Sequence, residues 1–233
     1  MDIRPIKQNE SQAVGKLMWE VFGEQARIHA AAPHWGSQRE AALLCGLYRE
    51  VEPEGAMLVE EDGQLLGAGF VRRRGEVATL GPLAVAAPGQ GIGTALTQAL
   101  VARAEEWSCL AVRLLQEAWN VGAFALFASQ GFAVVDAVAR IERSESAAPR
   151  LDGARGLEIT PYRRDDLAEI LALDLRLTGL DRRFDLEEVV RLVARRRGSI
   201  AGFLGARGGL LGPVLALDVA DLAVLVARHL SEL

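Results

Sequence analysis

LAVAAPGQGIGTAL, residues 83–96, carries an apolar run into a glycine-rich turn and out again into a pattern of helical period. The run reads as a buried central strand, because an unbroken apolar stretch needs cover on both faces of a sheet. After the turn, Ile92, Leu96, Leu100 and Ala104 recur on one face of a helix. Between strand and helix lies Gly89-Gln90-Gly91-Ile92-Gly93-Thr94. The first N–H groups of a helix have no partner within it and sit at the positive end of its dipole, and residues without Cβ let an anion approach them. The stretch therefore predicts an anion site, most simply a phosphate cradle. It departs from the dinucleotide fingerprint, which is G-x-G-x-x-G early in a βαβ unit with an acidic residue about 20 positions on. No Lys-Ser or Lys-Thr pair follows, which removes the P-loop as well.

Outward from this stretch the elements fall in order. AMLVEE (56–61) and DGQLLGAGFVR (62–72) form a hairpin through Asp62-Gly63, and a second hairpin turns at Arg74-Gly75 into the strand before the loop. Residues 38–50 read as a helix, CLAVRLL (109–115) as a strand and NVGAFALFASQ (120–130) as a helix. GFAVVDAVARIER (131–143) reads as a final strand or hairpin. With a strand and helix over residues 3–23, the order is β-α-α-β-β-β-α-β-α-β. This predicts an α+β protein with a mixed sheet and helices on both faces.

The chain also repeats itself. IRPIKQNESQAVGKLMWEVFG (3–23) and ITPYRRDDLAEILALDLRLTG (159–179) have the same length, open with Ile-x-Pro and close with Gly, so each reads as a strand and a helix ending at a glycine cap. QLLGAGFVRRRGEVATLGPLAVA (64–86) likewise parallels SIAGFLGARGGLLGPVLAL (199–217), two hairpins that share Leu-Gly-Pro. The second copy is shorter by roughly 25 residues, the size of one helix and its connection. Between the copies SESAAPRLDGARG (144–156) has linker composition, which places domains at 1–145 and 155–233.

Composition bounds the function. Half of the 233 residues are hydrophobic and the net charge is −5, so a core is available and a basic footprint for nucleic acid is not expected. Two cysteines, Cys45 and Cys109, make neither a disulfide framework nor a zinc pattern, and both lie in apolar patterns that predict buried thiols. No signal peptide or membrane span is expected, and a reducing, cytoplasmic setting fits. The triplets Arg72-Arg73-Arg74 and Arg195-Arg196-Arg197 each precede a glycine and predict solvated turn faces.

The element order and LAVAAPGQGIGTAL resemble the GNAT superfamily of acyl-CoA-dependent N-acyltransferases. The resemblance implies a strand that splays from its neighbour, the backbone of Leu83, Ala84 and Val85 holding the pantetheine arm and polarising the thioester carbonyl. It implies a pyrophosphate cradle of pattern Q/R-x-x-G-x-G/A, matched at its end by Gly91-Ile92-Gly93 and flanked by Gln90, Thr94 and Ala95. Pro88 stands at the pattern's first position, without an N–H or a side-chain donor. The family's second landmark, N-x-x-A-x-x-L-Y-x-x-x-G-F, is met by Asn120, Ala123, Leu126, Phe127, Gly131 and Phe132. It implies that Asn120 bonds the pantetheine arm. Phe127 occupies the place of a tyrosine that protonates the departing thiolate, and Phe has no proton to give. Another group supplies it, the thiolate leaves unassisted, or the protein binds CoA without transfer.

The second half resembles a small C-terminal domain attached to some GNAT proteins, through Gly179-Leu180-Asp181-Arg182 and Gly212-Pro213-Val214-Leu215-Ala216. There Asp218 and Asp221 replace the glycine loop, so one CoA site per chain is expected. The implied reaction moves acetyl from acetyl-CoA, as co-substrate and without a metal, to a primary amine. A non-catalytic acyl-CoA sensor or scaffold is the alternative. Candidates for a base are His29, His34 and Glu76, and Tyr48 and Tyr162 are the two phenols that could replace the missing acid. The acceptor stays open, and the chain is expected as a monomer or homodimer.

Overall fold

The structure is a computed structural model that describes residues 1–137, 155–207 and 210–231. The chain divides into two compact units, Met1–Ala137 and Val138–Leu233. In the first, Asp62 and Gly63 take φ of 49° and 75°, the geometry of a tight hairpin turn, and fold β2 (Ala56–Glu61) onto β3 (Gln64–Arg74). β1 (Asp2–Pro5) adds to β2, and β4 (Val77–Val85) adds to β3, all antiparallel. β5 (Ala111–Arg113) closes the order β1-β2-β3-β4-β5 with a parallel pairing to β4.

Alternation along the strands divides the core. Leu58, Ala68, Phe70 and Ala84 pack with Val14 and Met18 of α1 (Ser11–Ile28) and Cys45 of α2 (Gln38–Val51). Val59, Val71, Ala78 and Leu80 pack on the other face with Leu96 and Leu100 of α3 (Ile92–Glu106) and Phe127 of α4 (Val121–Ser129). α1 and α2 approach so closely that a Cβ on Gly15 would lie 2.3 Å from the Ala42 Cα. Gly15→Ala should destabilise the protein by about 1–3 kcal/mol, read as a lowered urea midpoint with an unchanged slope.

One ion network ties β1 to its surroundings. Arg4 donates to both oxygens of Glu10 at 2.9 and 2.7 Å and to both of Glu60 at 2.9 and 2.8 Å. The guanidinium, aided by the Lys7 N–H, holds the Glu10 carboxyl down at about 2. A carboxyl depressed in the folded state stabilises fully above its ordinary value near 4.5, and that stability is lost as pH falls from there toward 2. With partial exposure discounted, the contribution is about 1–2 kcal/mol. Glu10→Gln should therefore lower stability by that amount at pH 7, and denaturant titrations at pH 2 should bring variant and unmodified protein together.

The second unit holds an antiparallel sheet of order β6-β7-β8-β9, from β6 (Leu157–Pro161), β7 (Val190–Arg196), β8 (Ser199–Arg207) and β9 (Leu210–Ala216). α5 (Leu167–Thr178) and α6 (Arg183–Leu186) supply Ile170 and Leu186 to one face with Phe203. α7 (Val219–Leu230) brings Leu225 to the other with Leu204. The β8–β9 ladder shifts register between Leu204↔Val214 and Ala206↔Leu211, and β3–β4 shifts the same way between Gly69↔Leu83 and Val71↔Leu80. In both, a Gly-Pro pair falls in the bulge, where a missing N–H costs no ladder bond.

Several expectations from the sequence need correction. Gly23 does not end its helix, which continues through Glu24-Gln25-Ala26-Arg27 to Ile28 because good helix formers follow it and Ala26 is buried. Its counterpart Gly179 does cap α5, at φ 69°. Of the two arginine triplets, Arg73 and Arg197 are exposed as expected, Arg197 in the turn itself at φ 51°, but the other four are held at the ends of β3 and β7 and are not solvated turn faces. Arg74 is 3% exposed, Arg72 lies 3.9 Å over the Tyr48 ring, Arg195 pairs with Asp166, and Arg196 pairs with fully buried Asp221. Cys45 is buried, with its thiol pushed up to about 12 by desolvation, but Cys109 is only partly buried. Phe132–Ala137 carry no strand, and the rest of the expected final strand lies outside the described residues, as do residues 144–154 of the expected linker. Among the described residues no helix is long and apolar enough to cross a membrane, and no group of three or more potential metal ligands occurs.

Candidate functional site

The site grows from the end of β4. Ala84 stands opposite Ala68, and the Ala86 N–H donates to the Leu66 carbonyl at 2.8 Å. Alternate residues of an antiparallel ladder bond the same neighbour, so the N–H and C=O groups of Leu83 and Val85 face away from β3. On that side β5 pairs only with Val77, Ala78 and Thr79. From Leu80 onward no strand among the described residues meets this edge, and the two strands part in a wedge. The side chains of Leu83 and Val85 pack toward α3, while Ala84 is buried on the α1 side.

The wedge opens toward the glycine loop. Gly91 precedes α3 with φ 76°, a left-handed conformation that costs glycine little, and provides no side-chain cap. The first intrahelical bond runs from the Ala95 N–H to the Gly91 carbonyl at 3.0 Å, so the N–H groups of Ile92, Gly93 and Thr94 point out of the helix end. Gln90 and Gly91 are exposed, Ile92 is buried in the core, and Gly93, Thr94 and Ala95 are partly buried. A Cβ on Gly93 would lie 3.0 Å from Leu126 Cδ2, so this glycine also lets α4 pack against α3. Asn120 caps α4, its Oδ1 accepting from the Ala123 N–H at 3.1 Å. Phe127 is 8% exposed and meets Phe132 edge-on at 5.6 Å.

β4 carries Leu83–Val85 into Gln90–Ala95 at one end of the sheet, where Gly93 lies against Leu126 of α4, and the candidate acids and bases are spread over several elements. Glu76 is exposed in the turn before β4, roughly 30 Å of strand from Val85. Tyr48 packs on Phe70, on the α1–α2 face, and Tyr162 belongs to the second unit, where burial raises its phenol. His29 and His34 lie in the α1–α2 connection. The His29 ring lies 4.6 Å from Trp119, and His34 Nε2 lies 3.2 Å from Glu117 Oε1. Glu117 and Trp119, in the connection from β5 to α4, escaped sequence reasoning, since nothing local marks a partner in another loop. In the second unit Asp218 caps α7 by accepting from the Ala220 N–H at 2.7 Å, whereas no side chain caps the start of α3.

Known proteins fit this architecture. The uncharacterized protein YdhI of Bacillus subtilis (strain 168) is 31% identical over 101 residues, 43% of this chain and 62% of that protein, so the chain spans under two thirds of its length. A Pyrococcus horikoshii protein assigned as an acetyltransferase superposes with a TM-score of 0.71 at 16% identity, covering 99% of this chain and 76% of that one. A mutant form of the BH1408 protein from Bacillus halodurans gives a TM-score of 0.53 at 15% identity, covering 62% of this chain and 100% of its own. At such identities the likeness concerns the fold. The model of the Acetyltransferase (GNAT) family matches residues 16–132, a stretch that holds the wedge, the glycine loop, α3 and α4, and the chain belongs to that family.

Proposed function

We propose that the protein is an N-acetyltransferase that moves acetyl from acetyl-CoA directly to a primary amine. The observation that carries this reading is two sets of outward-facing backbone donors joined by one short loop, Leu83 and Val85 on the open edge of β4 and Ile92, Gly93 and Thr94 at the uncapped end of α3. An extended amide-bearing arm adds to an open strand edge as another strand would, and a pyrophosphate suits free N–H groups at a helix start. Gln90 offers an amide where Pro88 offers nothing, and Asn120, whose Oδ1 caps α4, keeps its side-chain N–H groups for the pantetheine arm. An N–H at Leu83 or Val85 that faces the thioester carbonyl stabilises the oxyanion formed when the amine attacks.

Phe127 cannot protonate the departing thiolate, and Tyr48, the phenol of the first unit, packs on the opposite face of that unit's sheet. A thiolate is a fair leaving group near neutral pH, by comparison with a cysteine thiol near 8.5, and the attacking amine brings protons of its own. The domain over 155–233 is a truncated copy of the domain over 1–145. Its support is the shared order of strands and helices and the shared Gly-Pro bulge, and Asp218 leaves it without a second CoA site. The setting is cytoplasmic, in keeping with two free cysteines.

Phe127 also favours one other reading, an acyl-CoA sensor without turnover. Incubation with acetyl-CoA and a panel of arylalkylamines, diamines and aminoacyl amides, with free thiol as readout, separates the two. Amine-dependent thiol release supports transfer; tight binding with intact acetyl-CoA under every amine supports the sensor.

A further inference from the structure

Rings are scarce in this chain, with aromatic residues at 6% and three histidines, yet His29, His34, Trp35 and Trp119 gather in two connections. One joins α1 to α2 and the other joins β5 to α4. α1 and α2 lie on one face of the sheet and α4 on the other, and β4 and β5 run parallel, so the connection after β5 leaves the sheet at the end where β4 runs into the glycine loop, and there the connection after α1 meets it. Two such contacts are the His29–Trp119 ring pair and the approach of His34 Nε2 to Glu117 Oε1 at 3.2 Å. His34 is further held by Phe22, edge-on at 4.9 Å, and Phe22 meets Trp35 at 5.0 Å. The His34 side chain is 31% exposed, so it is fixed by neighbours and still reachable.

Resting on the transfer reading above, we propose that His34 accepts the proton of the incoming ammonium and that Glu117 positions it. With Nε2 turned to the Glu117 carboxylate, Nδ1 carries the lone pair of the neutral ring. The ammonium gives one proton to Nδ1, and its nitrogen then bonds the acetyl carbon. The C–S bond breaks, and the departing thiolate takes the second proton from the attacking nitrogen. His34 returns its proton to solvent, so one amide, one CoA thiol and one proton leave for each ammonium and acetyl-CoA consumed. The carboxylate of Glu117 stands beside the charge that the ring acquires, as in histidine–carboxylate pairs generally.

The test measures thiol release from acetyl-CoA with the best amine of the panel, for the unmodified protein, His34→Ala, His34→Gln and Glu117→Gln, alongside calorimetry with acetyl-CoA. Both His34 variants should turn over about 100-fold more slowly or worse, and Glu117→Gln about tenfold more slowly, with acetyl-CoA affinity unchanged in all three. Added imidazole should restore activity to His34→Ala but not to His34→Gln, a rescue that a merely structural histidine does not show. Full activity in both His34 variants overturns the assignment and leaves transfer standing. Reduced activity without rescue, or with weakened acetyl-CoA binding, also overturns it. Intact acetyl-CoA with every amine, for the unmodified protein, overturns the transfer reading and this assignment together.

Discussion

Thr94→Glu should weaken acetyl-CoA binding by about 100-fold or more while leaving the melting temperature unchanged or slightly raised. Thr94 is the third residue of α3, in the turn whose N–H groups have no helical partner. A carboxylate there favours the helix by about 0.3–1 kcal/mol, since negative charge suits the positive end of the dipole. Toward a pyrophosphate it acts in the opposite sense. Two like charges about 4 Å apart repel by about 4 kcal/mol at the effective dielectric of a protein surface, more than the roughly 2.7 kcal/mol of a 100-fold change. The substitution thus separates folding from binding, which a bulky residue at Gly93 would not, because Leu126 lies against that position. Calorimetric titration beside a thermal scan checks both halves, and undiminished affinity would put the phosphates elsewhere.

Arg182→Leu should cost about 3–5 kcal/mol of stability in urea unfolding. The Arg182 guanidinium clasps both carboxylate oxygens of Asp174, which is 1% exposed, and the hydrogen bond to that carboxylate raises the guanidinium above its ordinary value. Removing the arginine leaves a carboxylate buried without its partner. The double variant Asp174→Leu with Arg182→Leu should recover most of the loss, because two apolar side chains replace a buried pair at little net cost. A small effect of the single variant would mean that Asp174 finds another donor.

These expectations show how much the residues disclose by themselves. The glycine loop and the start of α4 were legible because each is set locally: Gly91 supplies the left-handed φ before α3, and Asn120 supplies the cap of α4. The Gly179-Leu180-Asp181-Arg182 segment was legible as a motif but not as a mechanism, for the partner of Arg182 sits on the preceding helix. Arg72, Arg74, Arg195 and Arg196 misled for the same reason, whereas Arg73 and Arg197 are exposed as their charge predicts. Their charge predicts solvent, and only tertiary structure supplies the acceptors that hold Arg195 and Arg196 within a sheet. Gly23 misled because one glycine costs a helix only about 1 kcal/mol, less than the burial of Ala26 and the residues around it returns. The pairing of His34 with Glu117 joins two irregular connections without periodicity, and no pattern in either announces the other.

The most direct test of the account follows backbone amides by two-dimensional ¹H–¹⁵N NMR as acetyl-CoA is added. The account predicts the largest shifts at Leu83, Val85 and Gly91 through Ala95, with the amides of β6 through α7 unmoved. No shifts, or the largest shifts in the second unit, would contradict it.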